Sequence, residues 1–120
     1  MRAVIVFAHG SRDPLWRVPI EKVAACIAEQ SPDVMARCAY LELSEPSLPD
    51  AVAHAVSAGA REIRVLPLFF GMGKHAREDL PVLMRGLAEA HPDVTFRLLP
   101  TAGENPRLLA VLAEMALDPT

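Results

Sequence analysis

Cysteine is scarce in this chain of 120 residues: there are two, Cys26 and Cys38, and their spacing matches no metal-binding pattern. One falls on an expected helix and one on an expected strand, and both read as small buried hydrophobes in a reducing cytoplasm. No apolar run approaches the roughly 20 residues a membrane helix needs, so no membrane partner is expected. The amino end lacks the layout of a signal peptide, because Arg2 leads straight into a short apolar segment. Neither sign of charge dominates. Twelve Lys and Arg stand against 15 Asp and Glu, a net charge of −3, which argues against nucleic acid as a partner. Also missing are a linker, a low-complexity tract and a strong internal repeat, and the first loop lacks a glycine-rich phosphate cradle and an acidic pocket, which disfavours a phosphate-binding or response-regulator-like module. What remains is 52% hydrophobic. It reads as one cytoplasmic domain over residues 1–120, large enough for a single core.

Apolar runs and turn residues alternate regularly. Residues 3 to 8 (AVIVFA) are continuously apolar, as in a strand covered on both faces. After His9-Gly10-Ser11 comes a helix with Ile20, Val23, Ala24, Ile27 and Ala28 on one face and Pro19 in its first turn. Val34 to Leu41 is a second strand, interrupted by Arg37. Ser47 opens a second helix as a capping residue, with Leu48, Ala51, Val52, Ala55 and Val56 inward and Gly59 just past its end. The third strand runs from Glu62 to about Leu68, with Pro67 near its end because proline cannot donate to a ladder. A third helix carries Leu80, Leu83, Met84, Leu87 and Ala88, with Asp79 as N-cap and Pro81 in its first turn. Val94 to Leu99 is a fourth strand, interrupted by Arg97. Asn105-Pro106 then opens a last helix with Leu108, Val111, Leu112 and Met115 inward.

The order βαβαβαβα implies an α/β fold: an open, parallel, four-stranded sheet with helices on both faces and right-handed crossovers. The two most apolar strands, the first and third, belong at the centre, and those broken by Arg37 and Arg97 at the edges. The resulting order is 2-1-3-4, half of a flavodoxin-like sheet. Strands one and three are then neighbours, roughly 5 Å apart. Their carboxyl ends flank the crevice where open α/β sheets hold ligands. His9 sits at one tip and His75 follows the other, so 66 positions of sequence collapse to a distance one ligand can bridge.

Two neutral imidazoles facing one crevice suit a borderline divalent ion and leave coordination positions open, which fits delivery better than storage. With ordinary values near neutrality they can also take protons from a substrate. Gly71 and Gly73 permit close approach to the backbone. Lys74, Arg12 and Arg77 offer cations to carboxylates, Phe70, Met72 and Trp16 offer apolar contact, and Glu45 offers a carboxylate after the second strand. His54, off the apolar phase of its helix, and His91, at a helix end, read as structural.

HGSR after strand one, YLELSEPSLPDAV after strand two and VLPLFFGMGKHAREDLP after strand three resemble the small, single-repeat sirohydrochlorin chelatases. The resemblance covers nearly the whole chain. It implies insertion of a divalent metal (Co2+, Ni2+ or Fe2+) into sirohydrochlorin, on the route to cobalamin, sirohaem or nickel cofactors. The metal enters as a substrate, and no permanently bound cofactor is implied. His9 and His75 are implied as metal ligands and catalytic residues, with His9 the base for the pyrrole protons. The Gly71 to His75 tip and Glu45 are implied to contact the macrocycle. Larger relatives contain two fused copies of this half, so the small form implies a homodimer. A non-catalytic metal or tetrapyrrole carrier using the same two histidines is the alternative reading.

Overall fold

The computed structural model describes residues 1–118; the expected domain also takes in Pro119 and Thr120, which lie outside the described residues. Strands β1 (Arg2–Ala8), β2 (Met35–Tyr40), β3 (Glu62–Pro67) and β4 (Thr95–Leu98) form one parallel sheet in the order β2-β1-β3-β4. The helices are α1 (Val18–Gln30), α2 (Leu48–Ser57), α3 (Lys74–Ala90) and α4 (Pro106–Leu117). Arg37 and Arg97 do mark the edge strands, where a long cation reaches water easily. Pro67 ends β3 as expected. The ladder continues one step past it, with the Leu68 N–H donating to the Phe7 carbonyl at 2.7 Å.

Right-handed crossovers decide which helix lies on which face. The step from β1 to β2 runs one way across the sheet, and the steps to β3 and β4 run the other way. α2 and α3 therefore share a face, and their Leu48, Val52, Leu80 and Met84 join Ile5, Phe7, Ile63 and Val65 in the core. α1 covers β1 and β2 on the opposite face. Local signals behave as their chemistry requires. The Ser47 hydroxyl accepts from the Asp50 N–H, the Asn105 side chain accepts from the Arg107 N–H, and Gly59 leaves α2 at φ 106°.

Two expectations about the helices fail most clearly. α3 does not begin at Asp79: Gly73, extended at φ −62° and ψ 161°, is its N-cap, and Asp79 lies inside the helix. Pro81 is consequently an interior proline, which costs the helix roughly 3 kcal/mol in the general case. Here its missing N–H deprives only the Arg77 carbonyl, on an exposed side of the helix where water can donate instead. The second failure is α4, where Leu108, Val111, Leu112 and Met115 were expected to face inward. No residue of α4 is buried, and Val111 and Met115 are 49% and 61% exposed. A 3-10 turn, Ala102–Glu104, precedes this helix, and among the described residues the stripe is covered only in part, with Leu108 and Leu112 half-buried.

Candidate functional site

The carboxyl ends of β1, β2 and β3 meet through backbone contacts that leave little freedom. The Leu41 N–H donates to the Ala8 carbonyl and the Glu42 N–H to the His9 carbonyl, both at 2.9 Å. Gly10 makes that closeness possible. It sits at φ 107°, and a Cβ there would lie 1.7 Å from the Glu42 carbonyl oxygen. The Ser44 hydroxyl ties the same loops, donating to the Ser11 carbonyl at 2.8 Å and accepting from the Ser11 N–H at 3.1 Å. His9 is thus carried on a doubly anchored turn.

Phe69 is a neighbour of both histidines. It is buried, and the exposed His9 ring meets it edge-on at 4.5 Å between centroids. Its carbonyl accepts from the Thr101 hydroxyl at 3.0 Å and the Gly103 N–H at 2.8 Å, so the 3-10 turn braces this tip from behind. Phe69 also lines a cavity of about 180 Å³ together with Phe7, Leu41, Leu80, His75 and Asp79. The walls are apolar, and the imidazole and carboxylate are its ionisable groups, a lining typical of ligand sites.

Asp79 is the site residue that the sequence reading missed. His75 and Asp79 are four apart on α3 and so share one helix face. That spacing becomes visible only when the helix is started at Lys74 rather than Asp79. Leu41 and Phe69 were likewise passed over as ordinary apolar residues. Among the described residues, no group of three or more His, Cys, Asp or Glu could hold a metal ion. Two imidazoles at this edge leave an arriving ion with open positions.

The remaining candidates divide. Phe70, 68% exposed, and the exposed Gly71, Gly73, Lys74 and Arg77 project around the start of α3. A Cβ on Gly71 or Gly73 would meet nothing within 4 Å, so the fold itself does not require glycine at either position. Met72 instead packs against the core. Arg12 is exposed on the β1 turn. Glu45 and Trp16 are not brought to the His75 cavity. Glu45 lines a separate groove of about 360 Å³ with Arg17, Cys38 and Tyr40, and the Trp16 ring lies 6.0 Å from that of Tyr40.

In that groove, burial pushes the Cys38 thiol above its ordinary value and Glu21 adds to the effect, while Tyr40 and Arg17 pull it down. Burial likewise pushes the Tyr40 phenol up to about 12. Cys26 is exposed. A thiol reagent at pH 8 is therefore expected to modify Cys26 roughly tenfold faster than Cys38, because less Cys38 is thiolate. Biphasic kinetics that lose the fast phase in Cys26→Ala would bear this out, and loss of the slow phase instead would contradict it.

Comparison with known proteins agrees with this architecture. The CbiX family model matches residues 3–118. A sirohydrochlorin cobaltochelatase of Methanopyrus kandleri is 34% identical over 84 residues, covering 70% of this chain but only 59% of that protein's length. The solved CbiX protein of Marinobacter aquaeolei VT8 superposes with a TM-score of 0.85 at 35% identity, covering 99% of this chain and 97% of that one. The sirohydrochlorin chelatase SirB of Bacillus subtilis subspecies spizizenii, solved with cobalt, shares the fold at 24% identity and a TM-score of 0.71. This chain covers 98% of its own length there and 50% of SirB's. From residue 3 to residue 118, the chain belongs to the CbiX family.

Proposed function

We propose that this protein is a chelatase of the lyase class that inserts a divalent metal, Co2+, Ni2+ or Fe2+, into sirohydrochlorin. The observation that carries the reading is that two exposed imidazoles share one neighbour, Phe69: the His9 ring, just past β1, meets it edge-on, and His75, in the first turn of the helix that follows the adjacent strand β3, lines a cavity with it. The name borne by the Methanopyrus kandleri relative gives the substrate. The ion is a substrate, held by His9 and His75 with positions left open for pyrrole nitrogens. Two pyrrole protons must leave for each divalent ion that enters, so the overall charge balances without redox or ATP chemistry. His9, on the anchored β1 turn, takes these protons. Gly71 and Gly73 leave the backbone bare where a flat ring can settle, and Phe70 offers it an apolar face. Lys74 and Arg12 supply cations for the ring's carboxylates. Glu45, facing another groove, meets the macrocycle only at its periphery.

A cavity of about 180 Å³ is below the usual range for ligand sites, so one chain offers a tetrapyrrole a single wall. A homodimer in the cytoplasm, with two lobes facing the ring, completes the reading. Asp79 adds a negative charge one turn from His75 and favours an approaching cation. Asp79→Asn is expected to lower the initial rate at limiting metal about tenfold, with less effect at saturating metal. An equal loss at all metal concentrations would remove it from metal capture.

The test is an absorbance time course of sirohydrochlorin with Co2+, Ni2+ or Fe2+, with and without the protein. Faster conversion to the metallated spectrum over many turnovers supports the enzyme. Binding of metal and macrocycle with a rate equal to the blank would replace it with the carrier.

A further inference from the structure

We propose that the groove between α1 and β2 is a second binding subsite, in which Arg17 takes a carboxylate on the rim of the macrocycle. This deepens the chelatase reading above and rests on it for the ligand.

Arg17 is the N-cap of α1, and its side chain does no capping. Its guanidinium lies over the Tyr40 ring, 5.4 Å from the centroid. Stacking of that kind holds the flat head of an arginine and leaves the N–H groups at its edge free for an acceptor. Among the described residues nothing fills that role for Nε, which is buried without a hydrogen-bond partner. Glu21 and Glu45 line the same groove, yet neither forms an ion pair with Arg17. A buried donor left unpaired is rare, and a planar carboxylate matches the fork of an arginine. The Tyr40 phenol, pushed up to about 12 by burial, stays neutral beside it and adds no competing charge.

A second feature points the same way. Arg17 and Glu45 also line an adjoining space of about 570 Å³, together with Ser44 and Leu43. Leu43 is exposed there at φ 62°, a left-handed conformation that bulky residues seldom adopt. The Ser44 N–H donates to the Glu42 carbonyl at 2.8 Å across it. Backbone held in so unfavourable a state clusters at ligand sites. The result is an apolar wall beside an unpaired cation, which suits the alkyl stem and charged end of a carboxylate side chain.

The groove shares its frame with His9. The Ser44 hydroxyl holds Ser11, two residues beyond His9, and the Glu42 N–H donates to the His9 carbonyl. α1 and α3 lie on opposite faces of the sheet, so Arg17 and Lys74 stand on opposite sides of the strand ends. With one cation on each side, a ring bearing several carboxylates is held in one orientation over His9.

Titration of sirohydrochlorin into the full chain without metal, followed by absorbance, tests this. Arg17→Gln is expected to weaken binding of the macrocycle about tenfold or more, with Co2+ affinity unchanged. Glu45→Gln removes a like charge from the groove and is expected to tighten binding about threefold. If Arg17→Gln loses its native circular dichroism, Leu43→Asp replaces it. Aspartate tolerates the left-handed backbone and brings a repelling carboxylate to the same wall, so binding should weaken likewise. Succinate is the second probe. If it binds the native protein as tightly as the macrocycle does, and Arg17→Gln abolishes that binding, the groove is a site for a free carboxylate and the assignment falls. Native macrocycle affinity in Arg17→Gln, a matching loss of its Co2+ affinity, or weaker binding in Glu45→Gln also overturns it and leaves the chelatase reading standing. A native protein that binds no sirohydrochlorin overturns both.

Discussion

Replacing His75 with alanine is expected to lower metal insertion at limiting metal about 100-fold or more, with the folded state unchanged. The side chain is exposed at the start of α3, so its removal leaves no cavity, and stability should move by no more than about 0.5 kcal/mol. What disappears is one of two nitrogen ligands, and the loss should fall mainly on the KM for the metal. His9→Ala should differ in kind. If His9 also takes pyrrole protons, kcat itself falls by roughly 10² to 10⁴. Initial rates against metal concentration separate the two roles. Equal and purely KM-type losses in both variants would leave His9 a ligand without a proton-transfer role.

The second large effect is on stability. Gly10→Ala places a methyl group on top of the Glu42 carbonyl at a backbone angle that L-residues rarely adopt. Strain of this kind with overlap against backbone costs roughly 2 to 5 kcal/mol, a large part of the stability of a domain this size. The urea midpoint should fall by about 1 to 3 M. Insertion should fall with it, because the same turn carries His9. Gly71→Ala is the contrasting case. Nothing lies within 4 Å of the added methyl, so stability should stay within about 0.5 kcal/mol while insertion drops, the new bulk meeting the macrocycle rather than the protein. A Gly71→Ala protein of native activity would show that the bare backbone is unused.

The sheet could be read from the sequence because its order depends on properties that single residues display. A continuous apolar run places β1 inside, the Val65 to Phe70 run places β3 beside it despite Arg64, and Arg37 and Arg97 mark the edge strands. The crevice between His9 and the start of α3 follows from that order alone. The errors arise where a local signal has two meanings. Asp79 before Leu80-Pro81 has the chemistry of a helix start, whereas Gly73 caps α3 without any side chain to announce it. Misplacing that boundary hid the one-turn relation of His75 to Asp79. Periodicity on α4 identifies an apolar stripe but does not say which surface covers it, so an inward helix was expected where an outward one is found. Glu45 went astray for a third reason. Its loop is set by Gly10, Ser11 and Ser44 meeting across the β1 and β2 turns, a long-range contact that no sequence period encodes.

The central claim is that His9 and His75 act on one ion, and a double-mutant cycle of Co2+ affinity tests it most directly. Calorimetric titration of the native protein, His9→Ala, His75→Ala and the double variant is enough. With one shared ion, each single change weakens binding strongly, and the double variant binds little worse than either, a coupling of about 1 to 3 kcal/mol. Single variants that keep native affinity, or losses that simply add in the double variant, would mean that the two histidines serve no common ion.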